Sequence, residues 1–378
     1  MQSSSMTILA ATLALTACAG LPPAEDEHVE ETSQALMPHC PSWGCGENSP
    51  LLGPFDMHEL DALGGANTQG VRLLGFRKGT VMYRPDVTQD RLTARDLVTG
   101  AIVLAGSALE GGAFVIEHPA GPGLGAGGMA EIIVTHVTEA ATSPITFWQG
   151  PATRVETYEL DYTGVDLPPG VQRPLCRNPP APFKVGVLPT VDGHPYPTRF
   201  EAVLYTGDRY AASTKKVTAS TYASAGGFFN IACAGGALLK LHLNRHTTAS
   251  SLPGFQSTAS QRQAMLKMYT GDFCGTGEAF TEQGTRIHWQ TSTGETSPPG
   301  NDASNESLWT ADGALCLSTH RLKGLSIYDY EGAINGKRPS PGRCPKPECS
   351  SAALRAFGTG AGADRTRPYL RTQSAALP

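Results

Sequence analysis

Nine cysteines are the side chains of this 378-residue chain best equipped for covalent chemistry: Cys18, Cys40, Cys45, Cys176, Cys233, Cys274, Cys316, Cys344 and Cys349. Cys18 ends an apolar run, MTILAATLALTAC at residues 6–18, whose close Leu15-Thr16-Ala17-Cys18 has the form of a lipobox. In such a box the cysteine sulfur takes a lipid and the cysteine becomes the mature N-terminus. The run is shorter than the ~20 apolar residues a membrane-spanning helix needs. It suits the apolar region of a signal peptide, although no Lys or Arg precedes it. Setting Cys18 aside leaves an even number of cysteines, which fits disulfides formed in an oxidising compartment. The four-residue gaps within Cys40–Cys45 and Cys344–Cys349 suggest two local loops, with Cys176, Cys233, Cys274 and Cys316 stapling the body. A metal site built from CPSWGC and CPKPEC is the rival reading, but its spacing is loose and oxidation competes with it. Disulfides are therefore expected, with no metal and no cofactor.

Acid chemistry has fewer candidates. Asp272, Glu278 and Glu282 fall close together beside Thr281. A carboxylate-pair hydrolase needs two such groups in opposed environments, whereas an Asp after a helix more commonly binds loop amides. Asp56, His58 and Glu59 in FDMHEL, residues 55–60, form the best acid–imidazole cluster. They lack the HExxH spacing of a zinc helix and read as a surface turn entering a strand or short helix. No GxSxG elbow presents a serine nucleophile. Trp43, between Cys40 and Cys45, suits either a sugar-binding platform or a plug over a disulfide.

The elements that position these residues are mostly strands. From Val71 onward, VRLLGF, TVMY, AIVLAG, AFVIEH, EIIVTHV, PITFW and RVETYELDY are short apolar or alternating runs. Gly and Pro (43 and 29 residues) separate them at intervals of roughly ten residues. That pattern predicts a mainly β protein of antiparallel, sandwich- or barrel-like modules with one or two short helices, a β-rich α+β fold. GPGLGAGGM, 121–129, joins two strands and does not open a helix, so it is no nucleotide loop. The helices are expected at 235–245 and 259–269, the second capped by Ser260 with Ala264, Met265 and Met268 on its core face. The expected organisation is a lipoprotein signal peptide at 1–18, an acidic tether at 19–38 and a β-rich domain at 39–178. A second β-rich domain with the helices follows at 179–335, and a cysteine-looped, partly disordered tail at 336–378. A net charge of −5 without a basic block excludes nucleic acid as a partner.

Residues 261–289 resemble the signature of the ADYC domain, named for an Ala-Asp-Tyr-Cys run that here reads Gly271-Asp272-Phe273-Cys274 and is followed by Gly275, Gly277, Thr281 and Gly284. GGFFNIACAGGALLK at 226–240, NESLWTADGALCLSTHRL at 305–322 and CPSWGCGENSP at 40–50 resemble flanking blocks of the same family. The resemblance implies an exported protein of myxobacterial type and carries no established activity. It also implies that a cysteine pair of relatives is replaced here by apolar packing, near Leu241 and Met265. The expectation is a non-enzymatic cell-envelope lipoprotein, a binding or structural surface module held to the outer membrane by lipid on Cys18. An envelope glycan or another envelope protein would be its partner. The alternative is an envelope hydrolase acting on peptidoglycan or polysaccharide through acids near Asp272.

Overall fold

Alternating side chains explain the strands of the first half. In β6 (Ala113–His118), Phe114 and Ile116 turn inward; in β7 (Gly128–Thr138), Ala130, Ile132 and Val134 do; in β8 (Thr157–Gly164), Tyr158, Leu160 and Tyr162 do. Each is the period-2 pattern of a strand with one buried face. The computed structural model of the chain describes residues 50–88, 90–121, 126–165, 167–176, 190–191, 194–195, 201–211, 216–218, 227–233, 236–250, 252, 256–277, 287–293, 304–318, 344, 346–357 and 370–374. The segments expected as signal peptide and tether lie outside these residues, as do Cys18, Cys40, Trp43, Cys45, Glu278 and Glu282.

The remaining strands of the main sheet are β1 (Leu60–Asp61), β2 (Arg72–Lys78), β3 (Val81–Thr88), β4 (Arg91–Arg95), β5 (Ile102–Ala105), β9 (Arg173–Pro174), β10 (Glu201–Thr206) and β11 (Phe228–Cys233). They run in the order β1-β11-β10-β8-β7-β6-β2-β3-β4-β5, with β9 paired on β8. Every pairing is antiparallel. The sheet curls without closing: the Leu92 amide of β4 donates to the Tyr158 hydroxyl of β8 at 2.7 Å, although four strands separate them in the order. Inside the curl lies one core, in which Phe76 and Phe114 meet edge-on at 5.4 Å. That geometry adds about 0.5–1.5 kcal/mol to burial.

Strands β10 and β11 are buried on both faces, so they read as continuous apolar runs rather than alternating ones. Ala202 and Leu204 face the first core while Val203 and Tyr205 face a second. That second core is completed by α1 (Ala237–Leu243), α2 (Ala259–Thr270) and a four-stranded antiparallel sheet. The small sheet comprises β12 (Ile287–Thr291), β13 (Ser304–Thr310), β14 (Gly313–Leu317) and β15 (Leu370–Ser374), in the order β12-β15-β13-β14. The proline-rich stretch near residue 178 therefore does not separate two sheets. β10 and β11 lie beyond it in sequence and inside the main sheet, and Cys176 bonds Cys233 across it with Cα atoms 5.3 Å apart.

Both expected helices form, with one correction to the cap. Thr258, not Ser260, caps α2: its hydroxyl accepts from the Gln261 amide at 3.2 Å, and the Gln261 side chain accepts from the Thr258 amide at 2.7 Å. This is a complete capping box. The equivalent glutamine for Ser260 is Gln263, whose oxygen is taken by the Val217 amide at 2.6 Å. Ala264, Met265 and Met268 lie in the core as expected, and burial extends around the whole girth of the helix from Gln261 to Thr270. Leu241 and Met265 are both fully buried in the second core, as apolar replacement of a cysteine pair requires.

Candidate functional site

Helix α2 ends because Gly271 takes the left-handed conformation, φ 64°. The Gly271 amide donates to the Met268 carbonyl at 3.1 Å and the Asp272 amide to that of Lys267 at 2.9 Å, a Schellman stop. This turn delivers the Gly-Asp-Phe-Cys run to the small sheet. The Asp272 carboxylate is wholly buried, paired with the Lys267 ammonium and accepting from the Gly277 amide at 2.8 Å. Phe273 stacks on Trp309 at 4.9 Å between centroids. Its carbonyl accepts from the Ala314 amide at 2.9 Å, and Trp309 in turn donates to the Thr372 hydroxyl at 2.8 Å.

The loop can lie this close to the β13–β14 turn only through glycine. A Cβ on Gly275, at φ +76°, would sit 2.2 Å from the Asp312 carbonyl oxygen, and one on Gly313 would sit 2.8 Å from that of Phe273. Two disulfides then clamp the far segment onto this joint. Cys274 bonds Cys344 and Cys316 bonds Cys349, with Cα separations of 5.5 and 4.9 Å. The expected Cys344–Cys349 loop is therefore overturned. A six-residue segment that bridges two elements of the joint closes much longer loops than one that bonds itself. Lys346, between the two bonds, has its pKa lowered by burial, against the pull of Asp272 and Asp312.

As a reactive group Asp272 is poorly placed. Its carboxylate has no exposed surface, one oxygen already serves an ammonium and an amide, and a general acid must reach the atom it protonates. The alternative weighed from sequence, binding of loop amides, describes the Gly277 contact. Lys267 gave no comparable signal, because a lysine on a helix ordinarily faces water.

A second constellation looks chemical at first sight. The Ser250 hydroxyl lies 2.8 Å from that of Thr247, which lies 2.8 Å from His242 Nδ1, and His242 Nε2 lies 2.9 Å from Asp90 Oδ1. The order is that of a nucleophile–imidazole–carboxylate relay. Its environment is not: His242 stacks on Tyr205 at 4.2 Å, and His242 and Thr247 have no exposed surface. With Thr247 and Ser250 both buried, the chain of contacts serves as a polar strut tying the β3–β4 turn to α1.

His58 and Glu59 are buried, which corrects the expected surface turn. Glu59 meets Arg209 at 3.5 Å, and its amide donates to Asn230 at 3.0 Å, so an internal cation and amide draw the segment inward. A shallow depression of about 370 Å³, lined by Gly70, Glu117, His118, Pro119, Gly128 and Met129, lacks a convergent set of polar groups. Among the described residues no cluster of three or more His, Cys, Asp or Glu is poised for a metal, and no helix is long and apolar enough to cross a membrane.

The architecture and the joint together define a class: a curled antiparallel β body closed by a buried, doubly capped helix and clamped by disulfides. Residues 126–323, more than half of the chain, match the ADYC domain, and the chain belongs to that family. The match begins at residue 126, upstream of residue 179 where the sequence suggested that the domain starts, and so includes β7 and β8 of the main sheet. No curated protein and no solved structure matches the chain.

Proposed function

We propose that this chain is a non-enzymatic, exported lipoprotein of the cell envelope, of the myxobacterial type, that acts as a binding or structural surface module. The observation that carries the reading is the commitment of the family signature to scaffold. Asp272 is spent on a buried ion pair, Phe273 on a stack with Trp309 and Cys274 on a disulfide. Three bonded cysteine pairs support an oxidising compartment. The lipobox ending at Cys18 supports a lipid anchor, and Ala19 after it favours the outer membrane. Several acyl chains on one residue hold far more firmly than the single chain that binds only marginally. An envelope glycan or another envelope protein is the proposed partner. The hydrolase reading through Asp272 has no support from the enclosed carboxylate.

Mass spectrometry of the mature N-terminus tests the anchor. The expected species starts at Cys18 and carries acyl mass. A mature chain that retains Met1, or an unmodified Cys18, would overturn the reading.

A further inference from the structure

Outside the matched family stretch, one end of the main sheet presents apolar side chains to solvent. In the turn between β4 and β5, Leu97 is 63% and Val98 93% exposed, and on the edge strand β5 Ile102 and Val103 are 53% and 50% exposed. The pairing of β4 with β5 shifts register at this point, between Ala94 and Arg95. Because neighbouring strands run in opposite directions, the β2–β3 turn opens at the same end and adds exposed Val81.

The turn bonds part of its own backbone, around an exposed carboxylate. The Asp96 carboxylate accepts from the Val98 and Thr99 amides at 3.0 and 2.7 Å and from the Thr99 hydroxyl at 2.9 Å. The Gly100 amide donates to the Asp96 carbonyl at 3.0 Å, and the Asp96 amide to that of Ala101 at 2.9 Å. Arg95 donates to the Gly100 carbonyl at 3.0 Å and pairs with Asp86 at 2.6 Å. The bonded amides are fewer groups to strip of water when the tip approaches an apolar phase, while the Asp96 carboxylate and the carbonyls at the apex stay at the level of the headgroups.

Cations stand behind the tip. Arg84 lies opposite Arg95, which lies opposite Ile102, and its guanidinium reaches the Gly100 side of the turn. Neither Arg84 nor Lys78 has a carboxylate partner among the described residues, in a chain whose net charge is −5. Behind the aliphatic side chains, Arg84 and Lys78, whose ammonium donates to the Ala108 carbonyl, outnumber the one exposed carboxylate of the turn, Asp96, and suit the order of an anionic lipid leaflet, acyl chains below phosphates.

We infer that the Leu97–Val98 turn, with Ile102, Arg84 and Lys78, is a membrane-docking tip that inserts shallowly into an anionic lipid surface. It rests on the proposed envelope location and adds to it an orientation, with this end of the sheet turned toward the bilayer.

Vesicle sedimentation with the full chain carrying Cys18→Ser, disulfides formed, tests the tip apart from the anchor. The probes are vesicles of phosphatidylglycerol with phosphatidylethanolamine and vesicles of phosphatidylcholine alone. Binding is expected on the anionic vesicles only. Leu97→Ser/Val98→Ser should weaken it about tenfold or more, and Arg84→Glu about fivefold or more, an effect that vanishes at high salt. All of these side chains are exposed, so unchanged thermal melting is the control for folding. Equal binding by the variants, or equal binding to neutral vesicles, overturns the inference. So does concentration-dependent self-association lost in Leu97→Ser/Val98→Ser without vesicle binding, which would assign the tip to a second copy of the chain. Absence of acyl mass on Cys18 would sink the anchor while leaving this result unaffected.

Discussion

Asp272 and Lys267 close a buried ion pair across the end of helix α2, and neither side chain reaches solvent. Removing both ions from water costs several kcal/mol each. The cost is offset by their mutual attraction, by the Gly277 amide at 2.8 Å and by a contact from the ammonium to the Gly275 carbonyl at 3.4 Å. The pair thus fixes the loop that carries the rest of the signature.

Asp272→Asn should therefore be costly, because it strands the Lys267 ammonium without a counter-charge. The expected loss is about 3–5 kcal/mol in urea unfolding. The double change Lys267→Met/Asp272→Leu should recover much of it. If Asp272→Asn unfolds at the same urea concentration as the parent, the ion pair does not hold the joint.

Two glycines with similar backbone angles should respond very differently to alanine. At Gly79, φ +61°, a Cβ meets nothing within 4 Å, so the change should cost only the left-handed preference, about 1–2 kcal/mol. At Gly275 the new carbon meets the Asp312 carbonyl oxygen, and the expected cost is about 2–4 kcal/mol. Thermal melting of the two variants side by side checks the close approach of loop and turn, which equal melting points would rule out.

Stability should fall on mild acidification through His246. Burial pushes its pKa down to about 4, from the ordinary histidine value of 6.5. Between those values the unfolded chain binds a proton that the folded chain refuses, so stability rises with pH across this window and is flat for this group above it. The full effect is on the order of 3 kcal/mol. His246→Asn should flatten the difference in stability measured at pH 4.5 and 7 relative to the parent. An unchanged pH dependence would show that the ring accepts its proton while folded.

The β character and both helices were legible because periodicity and turn residues are local signals. The course of the main sheet past residue 178 was not, since β10 and β11 carry the same apolar look whether they start a new core or separate two. The cap of α2 fell on Thr258 because Gln263, needed by Ser260, is claimed by Val217 from a distant strand pair. Asp272 was visible as a loop-binding acid, while its partner Lys267 and the relay-like contacts of Asp90, His242, Thr247 and Ser250 depend on tertiary approach. Disulfide partners were the least readable feature. Adjacent cysteines invite a local loop, and only the folded joint reveals that Cys344 and Cys349 each reach elsewhere.

The most direct test of a signature spent on scaffold is a disulfide map of the protein isolated from cells under non-reducing conditions. The expected map has linked peptides joining Cys176 to Cys233, Cys274 to Cys344 and Cys316 to Cys349. A peptide closed on itself between Cys344 and Cys349, or free thiols at Cys274 and Cys316, would contradict it.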